Sequence, residues 1–291
     1  MNLSGYDAYR SELTALAVHN GRVVCLDSSP GRAGHPFEST HPDRFFGLAG
    51  VASVMVDVVE GMVAAGFRPF VCTGQGPRGL GAAGELGLRA RLLEAGASVV
   101  TPYAGILEDY QVLRRLEGVT LAAPCGDAET RAVVRTAAAT DRPFHIRVGS
   151  APRPYWQRPD LGAGGLTSPL VWESTGHGDD DPVCLVSVGE YGTGTARAAR
   201  ACAPWLAHAH LVYLDDEHLE VAAAELTRSH SRFVVVGARP GSRGVLDALS
   251  RLLPGRYIGA AQATTDHDSS GVGAALRAAD RVAGYGVRKI V

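Results

Sequence analysis

The sequence predicts an α/β fold of two doubly wound domains whose sheets are mainly parallel. Short apolar runs rich in β-branched residues alternate with amphipathic segments of helix length. A stretch rich in proline, glycine and aspartate interrupts this alternation once, after residue 150. The chain of 291 residues is also longer than a typical single domain. We therefore expect a first domain over residues 1–150, a linker over 151–181 and a second domain over 182–291.

The first domain is predicted to contain five buried strands, each a short apolar run. These runs span residues 22–26, 69–73, 98–101, 119–123 and 144–148. The helices predicted between them span residues 50–65, 86–95, 107–116 and 127–139. Gly66 and Gly96 stand where two of the helices should end, and Asp127 is expected to cap the start of another. Strands and helices alternating at this spacing indicate parallel βαβ units.

The second domain shows the same alternation on a smaller scale. Its predicted strands span residues 183–188, 211–214 and 233–236. Its predicted helices span residues 195–206, 219–226 and 244–252. The second domain is therefore again expected to be α/β.

Composition excludes several classes of function. The formal net charge is −2 and no long basic run occurs, which argues against binding to nucleic acid or to an anionic membrane. The N-terminal sequence does not have the layout of a secretion signal, and no apolar stretch reaches the ~20 residues of a membrane helix. Five widely spaced cysteines without a CxxC pair predict free, mostly buried thiols and no metal site. We expect a cytoplasmic protein.

Several segments, in order, resemble the C-terminal half of the transketolase family. Residues 41–46, a glycine-led helix and then residues 60–71 resemble the pyrimidine-binding domain of that family. The resemblance continues through segments that span residues 107–114, 124–129 and 142–147. Residues 266–271 and 285–290 resemble the family's C-terminal domain. The resemblance covers nearly the whole chain and implies a pyrimidine-binding-like domain followed by a transketolase C-terminal-like domain.

The resemblance also implies a cofactor and a partner. Members of the family use thiamine diphosphate with Mg²⁺, held by a Gly-Asp-Gly motif that an asparagine follows about thirty residues later. The only asparagines of this chain are Asn2 and Asn20, and its closest string, residues 178–180, lies in the predicted linker. We therefore expect the cofactor to bind only together with a separate N-terminal transketolase-like subunit. The expected assembly contains two copies of each chain.

At the pyrimidine site the chain departs from the family pattern. The alignment places Ala52 where the family has the glutamate that hydrogen-bonds the cofactor ring, and a shift by one residue gives Ser53. Glu60 follows on the same predicted helix, but eight residues correspond to ~12 Å along the axis. Residues 73–79 contain no aromatic ring to stack on the pyrimidine, and residues 103–106 replace a family histidine. The catalytic residues are therefore unknown.

The resemblance implies cofactor contacts at four positions, which are Ala52, Thr73, Gly74 and Pro77.

Four residues are candidates for substrate binding, namely Asp27, His35, Arg78 and Arg147. Asp27 follows a strand where the family has an aspartate near the cofactor or the subunit contact, and the alternative is a turn residue that bonds its own backbone. His35, which is also a catalytic candidate, either faces the substrate channel or lies in an exposed loop. Arg147 either holds a carboxylate or phosphate or pairs with a nearby acid such as Asp141.

Glycine-rich and Asp/His-rich segments leave further alternatives open. Residues 74–81, which include Arg78, form either an anion cradle before a helix or a connector. Residues 189–194 are similar but lack the spacing of a nucleotide fingerprint. Residues 264–271 contain Asp and His that suggest either metal ligation or capping of the last helix.

The sequence therefore predicts the C-terminal subunit of a two-component, thiamine diphosphate-dependent transketolase-like enzyme. Such an enzyme transfers a two-carbon ketol or acyl unit between small carbonyl or sugar substrates and so forms carbon–carbon bonds. The alternative is a non-catalytic structural or regulatory subunit of such a complex, with a degenerate cofactor site.

Overall fold

The computed structural model describes residues 3–28, 34–48, 52–73, 81–103, 110–151, 161, 165–176, 182–238, 242–253, 256–263 and 269–287. They form two compact α/β units. The first unit comprises Met1–Ala104 with Val112–Thr167, and the second comprises Gly105–Gln111 with Ser168–Val291. The longer part of the second unit thus begins inside the segment expected to be a linker, because Leu170–Ser174 is a strand of its sheet.

The first unit is built on a sheet that has six strands in the described residues. The strands are β1 (Val23–Asp27), β2 (Phe45–Gly47), β3 (Arg68–Cys72), β4 (Ser98–Tyr103), β5 (Thr120–Ala122) and β6 (Phe144–Gly149). Their order is β2-β1-β3-β4-β6-β5, and every neighbouring pair is parallel. The predicted parallel arrangement is therefore confirmed. Strands β1 and β3 are almost wholly buried, which matches their continuous apolar sequence.

Helices cover the sheet of the first unit. They are α1 (Gly5–His19), α2 (Pro36–Thr40), α3 (Ala52–Ala64), α4 (Gly81–Glu94) and α6 (Gly126–Ala139), with a 3-10 turn over Pro42–Arg44. The short helix α5 (Tyr110–Leu113) is divided between the two units, since its first two residues belong to the second. Helix α1 was not predicted. Its Ser4 side chain accepts a hydrogen bond from Asp7 N, and Glu12 pairs with two arginines of α6 at 2.9 and 3.0 Å.

The start of α6 differs from the prediction. Cys125 is the N-cap residue rather than Asp127, and the helix begins at Gly126, which has a φ of 75°. Asp127 lies in the first turn, where its carboxylate accepts a hydrogen bond from Ala128 N at 2.8 Å. The Glu129 carboxylate accepts one from Cys125 N at 2.7 Å. A glutamate four residues after the N-cap therefore satisfies a free backbone donor at this helix end.

The second unit has a mixed sheet with five strands in the described residues. They are β7 (Leu170–Ser174), β8 (Cys184–Val188), β9 (Ala207–Leu211), β10 (Arg232–Ala238) and β11 (Tyr257–Ala263), in the order β11-β10-β8-β9-β7. Strand β7 pairs antiparallel with β9, and the other pairs are parallel. The helices are α7 (Gly189–Cys202), α8 (Asp216–Leu226), α9 (Ser242–Leu252) and α10 (Ser269–Val287). Among the described helices, none is both long enough and apolar enough to span a membrane.

Two boundaries of the second unit were predicted wrongly. Strand β9 covers Ala207–Leu211 rather than residues 211–214, because the alternating histidines His208 and His210 are buried in the sheet. Helix α7 begins at Gly189, six residues earlier than predicted. Its glycines had indicated a loop, but at Gly192 the missing side chain allows the helix to lie close to the sheet.

Small residues let α7 and α10 pack closely against this sheet. Ala196, Ala199, Ala275 and Ala278 are buried in the core together with Leu185 of β8 and two valines of β10. A Cβ atom added at Gly192 of α7 would lie only 2.3 Å from the carbonyl oxygen of Val236. Position 192 therefore requires glycine for close contact between helix and strand.

We predict that Gly192→Ala destabilises the protein, because either α7 or β10 must shift to admit the methyl group. The expected loss is about 1–3 kcal/mol of unfolding free energy, measured by urea denaturation. Gly284→Ala is the matched control in α10, where an added Cβ has no described atom within 4 Å. It should raise the unfolding free energy by up to about 1 kcal/mol. Equal effects of the two substitutions would contradict this account.

Candidate functional site

The order of strands in the first unit creates a switch point beside β1. The chain places β2 on one side of β1 and β3 on the other. In a parallel sheet, a crevice forms at such a point outside the carboxyl ends of the strands. Asp27 and Cys72 are register partners at these ends, and the Ser28 hydroxyl and backbone N–H both donate to Cys72 O at 3.1 Å. The carboxyl edge at β1 and β3 is therefore the candidate site.

A row of polar side chains follows this edge, and we call it the carboxyl-end row. It consists of Thr73, Thr101, His145 and Arg89. The Thr73 and Thr101 hydroxyls are 3.4 Å apart, and Thr101 Oγ1 lies 3.4 Å from His145 Nε2. Arg89 of α4 donates from Nε to Thr73 Oγ1 at 3.4 Å and pairs with Glu85 at 3.2 Å. The row combines hydroxyl and imidazole groups with a guanidinium that is largely buried.

Strand register explains how the row forms. Thr101 is the register partner of Arg147, so their side chains lie on the same face of the sheet. His145 precedes Arg147 by two residues and shares that face. Three neighbouring strands therefore present polar side chains to the side covered by α4, although each strand is otherwise apolar.

The pairing of Arg147 with Asp141 is wrong, while its pairing with another nearby acid stays a prediction. Asp141 is instead paired with Arg68 and lies 3.6 Å from Arg22. It precedes β6, whereas Arg147 lies six residues further along, which corresponds to about 20 Å of extended chain. Binding of an anion by Arg147, which is half-buried near the carboxyl end of β6, stays a prediction.

The opposite face of the sheet carries a second buried group, which we call the helix-α1 cluster. It contains Tyr6, Tyr9, Cys25, Asp27 and Cys72. The Cys72 thiol donates to the Tyr6 hydroxyl at 3.8 Å, and Asp27 is fully buried at the end of β1. Burial raises the pKa of the Cys25 thiol well above its ordinary value, and Asp27 adds to this effect. Burial also raises the pKa of both tyrosines. At neutral pH the Cys25 thiol and the two tyrosine hydroxyls are therefore uncharged groups of the core.

His35 lies inside the fold and not in an exposed loop. It is 1% exposed, and its Nδ1 accepts a hydrogen bond of 3.1 Å from Phe37 N at the start of α2. Its Nε2 is 3.9 Å from the Cys25 thiol, and its ring lies 5.2 Å from that of Phe45. Burial lowers the pKa of His35 from 6.5 to about 4, and the nearby Arg10 contributes. His35 is therefore a neutral capping residue.

The predicted cofactor contacts are only partly described. Thr73 belongs to the carboxyl-end row, and Ala52 is the first residue of α3. Gly74, Pro77 and Arg78 lie outside the described residues, as do residues 264–268 of the Asp/His-rich segment.

The start of α3 lacks the acidic side chain that the ring of thiamine diphosphate would need as a hydrogen-bond partner. Alanine has no side-chain atom that can hydrogen-bond a ring nitrogen, and the first turn of α3 contains no acidic residue. The acids of this helix, Asp57 and Glu60, are exposed further along it. The described part of the chain contains no cluster of three or more His, Cys, Asp or Glu side chains that could hold a metal ion. The described residues thus supply hydrogen-bond donors at this edge and no carboxylate at the start of α3.

The second unit contains a polar group that the sequence did not reveal, and we call it the Ser187 cluster. Ser187, Thr193, His208 and His210 are all fully buried. The Ser187 hydroxyl lies 2.8 Å from His208 Nε2 and 3.0 Å from Thr193 Oγ1, and Thr193 Oγ1 lies 3.0 Å from His210 Nδ1. Thr193 also donates to Gly189 O at 3.0 Å. These hydrogen bonds tie the start of α7 to β8 and β9.

Comparison with known proteins identifies the fold. No protein-family model and no curated protein matches the sequence. Among solved structures, the chain is similar to a split-gene transketolase described as an inactive β4 tetramer. The TM-score is 0.78 with 19% sequence identity, and the match covers 97% of this chain and 98% of the other. The chain therefore has a transketolase-like fold, which confirms the fold that the resemblance implied.

We predict that protonation of His35 destabilises the protein. The folded-state pKa of about 4 lies below the unfolded value of 6.5, so the unfolded state takes up this proton first. The stability that neutral His35 contributes is therefore present above pH 6.5 and is lost as the pH falls toward 4. His35→Asn keeps a capping acceptor without a titrating ring. Its unfolding free energy should fall less steeply between pH 6.5 and 4 than that of the wild type.

The control for this experiment is His19→Asn, at an exposed residue in the last turn of α1. Chemical denaturation at each pH gives the slope for all three proteins. A wild-type slope in His35→Asn would contradict the prediction.

Proposed function

We propose that this chain is the C-terminal subunit of a two-component transketolase-like enzyme that transfers a two-carbon ketol or acyl unit between small carbonyl or sugar substrates. The observation that carries the proposal is the end-to-end likeness to a split-gene transketolase chain. Such a likeness supports the same content of domains in both chains. Substrate would bind at the carboxyl edge of the first sheet, beside the switch point and the carboxyl-end row.

The proposal includes a partner subunit that supplies the diphosphate- and Mg²⁺-binding domain. The sequence lacks the motif with its following asparagine that would hold these groups. The similar solved protein is described as an inactive tetramer of β chains, which supports both self-association and the need for a second component. We propose an assembly with two copies of each chain.

The share of the chemistry that this chain would carry is limited to binding and orientation. Thiamine diphosphate, when bound, supplies the stabilised carbanion. The Arg89 guanidinium and the Thr73 and Thr101 hydroxyls can hydrogen-bond the oxygen atoms of a substrate close to the strand ends. Because the start of α3 offers no acid, no proton transfer is assigned to this chain.

A second candidate function is a non-catalytic subunit that braces or regulates its partner. The alanine at the start of α3 favours this candidate, because it removes the proton partner of the cofactor while leaving the fold intact. The two candidates differ in what omission of the chain does to catalysis.

We predict that the isolated chain does not bind thiamine diphosphate, because the groups that hold the diphosphate and metal are on the partner. Isothermal titration with thiamine diphosphate and Mg²⁺ should give no saturable heat. Micromolar binding by the chain alone would disprove the proposed division between subunits.

We predict that ketol transfer requires both chains. The partner would be incubated with thiamine diphosphate, Mg²⁺ and ketose phosphates, with and without this chain, and product formation would be measured. Transfer that is lost on omission supports the enzyme subunit. Transfer by the partner alone at an undiminished rate supports the non-catalytic subunit.

We predict that Ala52→Glu raises cofactor-dependent transfer by the complex by about tenfold or more, because a positioned acid assists proton transfer. Ala64→Glu is the matched control, since it makes the same change at an exposed residue near the other end of α3, about 18 Å away. An equal response of the two variants would argue against a cofactor ring at the start of α3.

A further inference from the structure

A cavity of about 250 Å³ opens at the amino end of the first sheet, opposite the edge that carries the candidate site. We call it the amino-end pocket. Its walls come from the first residues of β3 and β4 and from the ends of α3 and α6. Neither the proposed transfer chemistry nor any of the candidate cofactor- and substrate-binding residues uses this cavity.

Three arginines and one aspartate line the amino-end pocket, namely Arg22, Arg68, Arg142 and Asp141. The lining therefore carries an excess of positive charge. Part of this charge is offset, because the arginines cap carbonyl groups at the ends of helices and turns. Arg68 donates to Ala138 O at 2.7 Å and to Thr140 O at 2.5 Å, and it also pairs with Asp141.

Arg22 differs from Arg68 in having donors left for a ligand. Its Nε donates to Gly66 O at 2.7 Å, which fixes the inner part of the guanidinium. Its Nη2 lies 3.6 Å from the Asp141 carboxylate, which is beyond hydrogen-bond distance. The side chain is 56% exposed. The outer edge of this guanidinium is therefore held in place and accessible from solvent.

Most of the remaining lining is apolar, and Ser98 and Thr140 are its two uncharged polar residues. The apolar part comes from Val63, Phe67, Pro69, Phe70 and Ala137. Val63 and Phe67 are partly exposed, at 36% and 39%, although both are large hydrophobic residues. A ligand that covers them would remove apolar surface from water.

We propose that the amino-end pocket binds a small organic carboxylate. The planar fork of Arg22 matches the two oxygens of a carboxylate, and the apolar surface matches an aromatic or aliphatic body. The volume is slightly below the range of about 300–1,000 Å³ that is usual for ligand pockets, so it suits a compact molecule and not a nucleotide. An inorganic phosphate would leave the apolar half of the pocket without a contact.

The test is isothermal titration of the full-length chain with benzoate, acetate and orthophosphate at constant ionic strength. We expect saturable binding of one benzoate per chain, and weaker binding of acetate, which lacks the apolar body. Arg22→Gln should weaken benzoate binding by about tenfold or more, because a charge-assisted pair is lost. Phe67→Ser should also weaken benzoate binding but should leave acetate binding unchanged.

Arg251→Gln is the control, because it removes the same charge from an exposed residue of α9 in the second unit. Its benzoate affinity should stay within about twofold of the wild type. Circular dichroism checks that every variant is folded, and Arg22→Lys replaces Arg22→Gln if that variant is not. The proposal would be overturned if benzoate binding were not saturable or if orthophosphate bound more tightly than benzoate. It would also be overturned if both pocket variants left the benzoate affinity unchanged.

Discussion

The parallel pairing of β1 with β3 is the constraint on which the first unit depends. Because every described pair in this sheet is parallel, all carboxyl ends lie at one edge and all amino ends at the other. The register of Asp27 with Cys72 then fixes the switch point. The same constraint collects helix ends at the amino edge, where arginines such as Arg68 satisfy carbonyl groups. One arrangement of strands therefore produces both a polar carboxyl edge and a basic amino edge.

Buried polar groups give each unit its particular character. Strands buried on both faces normally carry apolar residues only, since an unsatisfied polar group in the interior costs about 1–3 kcal/mol. Thr101 and His145 avoid that cost in the carboxyl-end row, and Ser187 and His208 avoid it in the Ser187 cluster, because each pair lies within hydrogen-bond distance. In the helix-α1 cluster, burial instead keeps the Cys25 thiol protonated. These groups order the core and do not serve as free nucleophiles.

The sequence predicted the elements whose burial shows directly as apolar runs. The predicted ends lie within two residues of the observed ends for seven strands, namely β1, β3, β4, β5, β6, β8 and β10. Helix α1 was missed although Ser4 and Asp7 form a capping pair, because its apolar face is weak. Strand β9 was predicted too late in the chain, because His208 and His210 are polar residue types and their buried partners on β8 and α7 cannot be known from the sequence. Of the carboxyl-end row, the sequence predicted only Thr73 as a site residue. The other members come from distant segments of the chain, and only the fold brings them together.

The fold and the proton chemistry of a transketolase-like subunit depend on different residues. The core of the first unit rests on residues such as Val71, Val99 and Ile146, which are fully buried in the sheet. Ala52 is one residue at the end of a helix, and helix formation favours alanine over most other residues. An alanine at the start of α3 is therefore compatible with the sheet and the switch point of the first unit. A chain of this fold can form its core whether or not that position carries an acid.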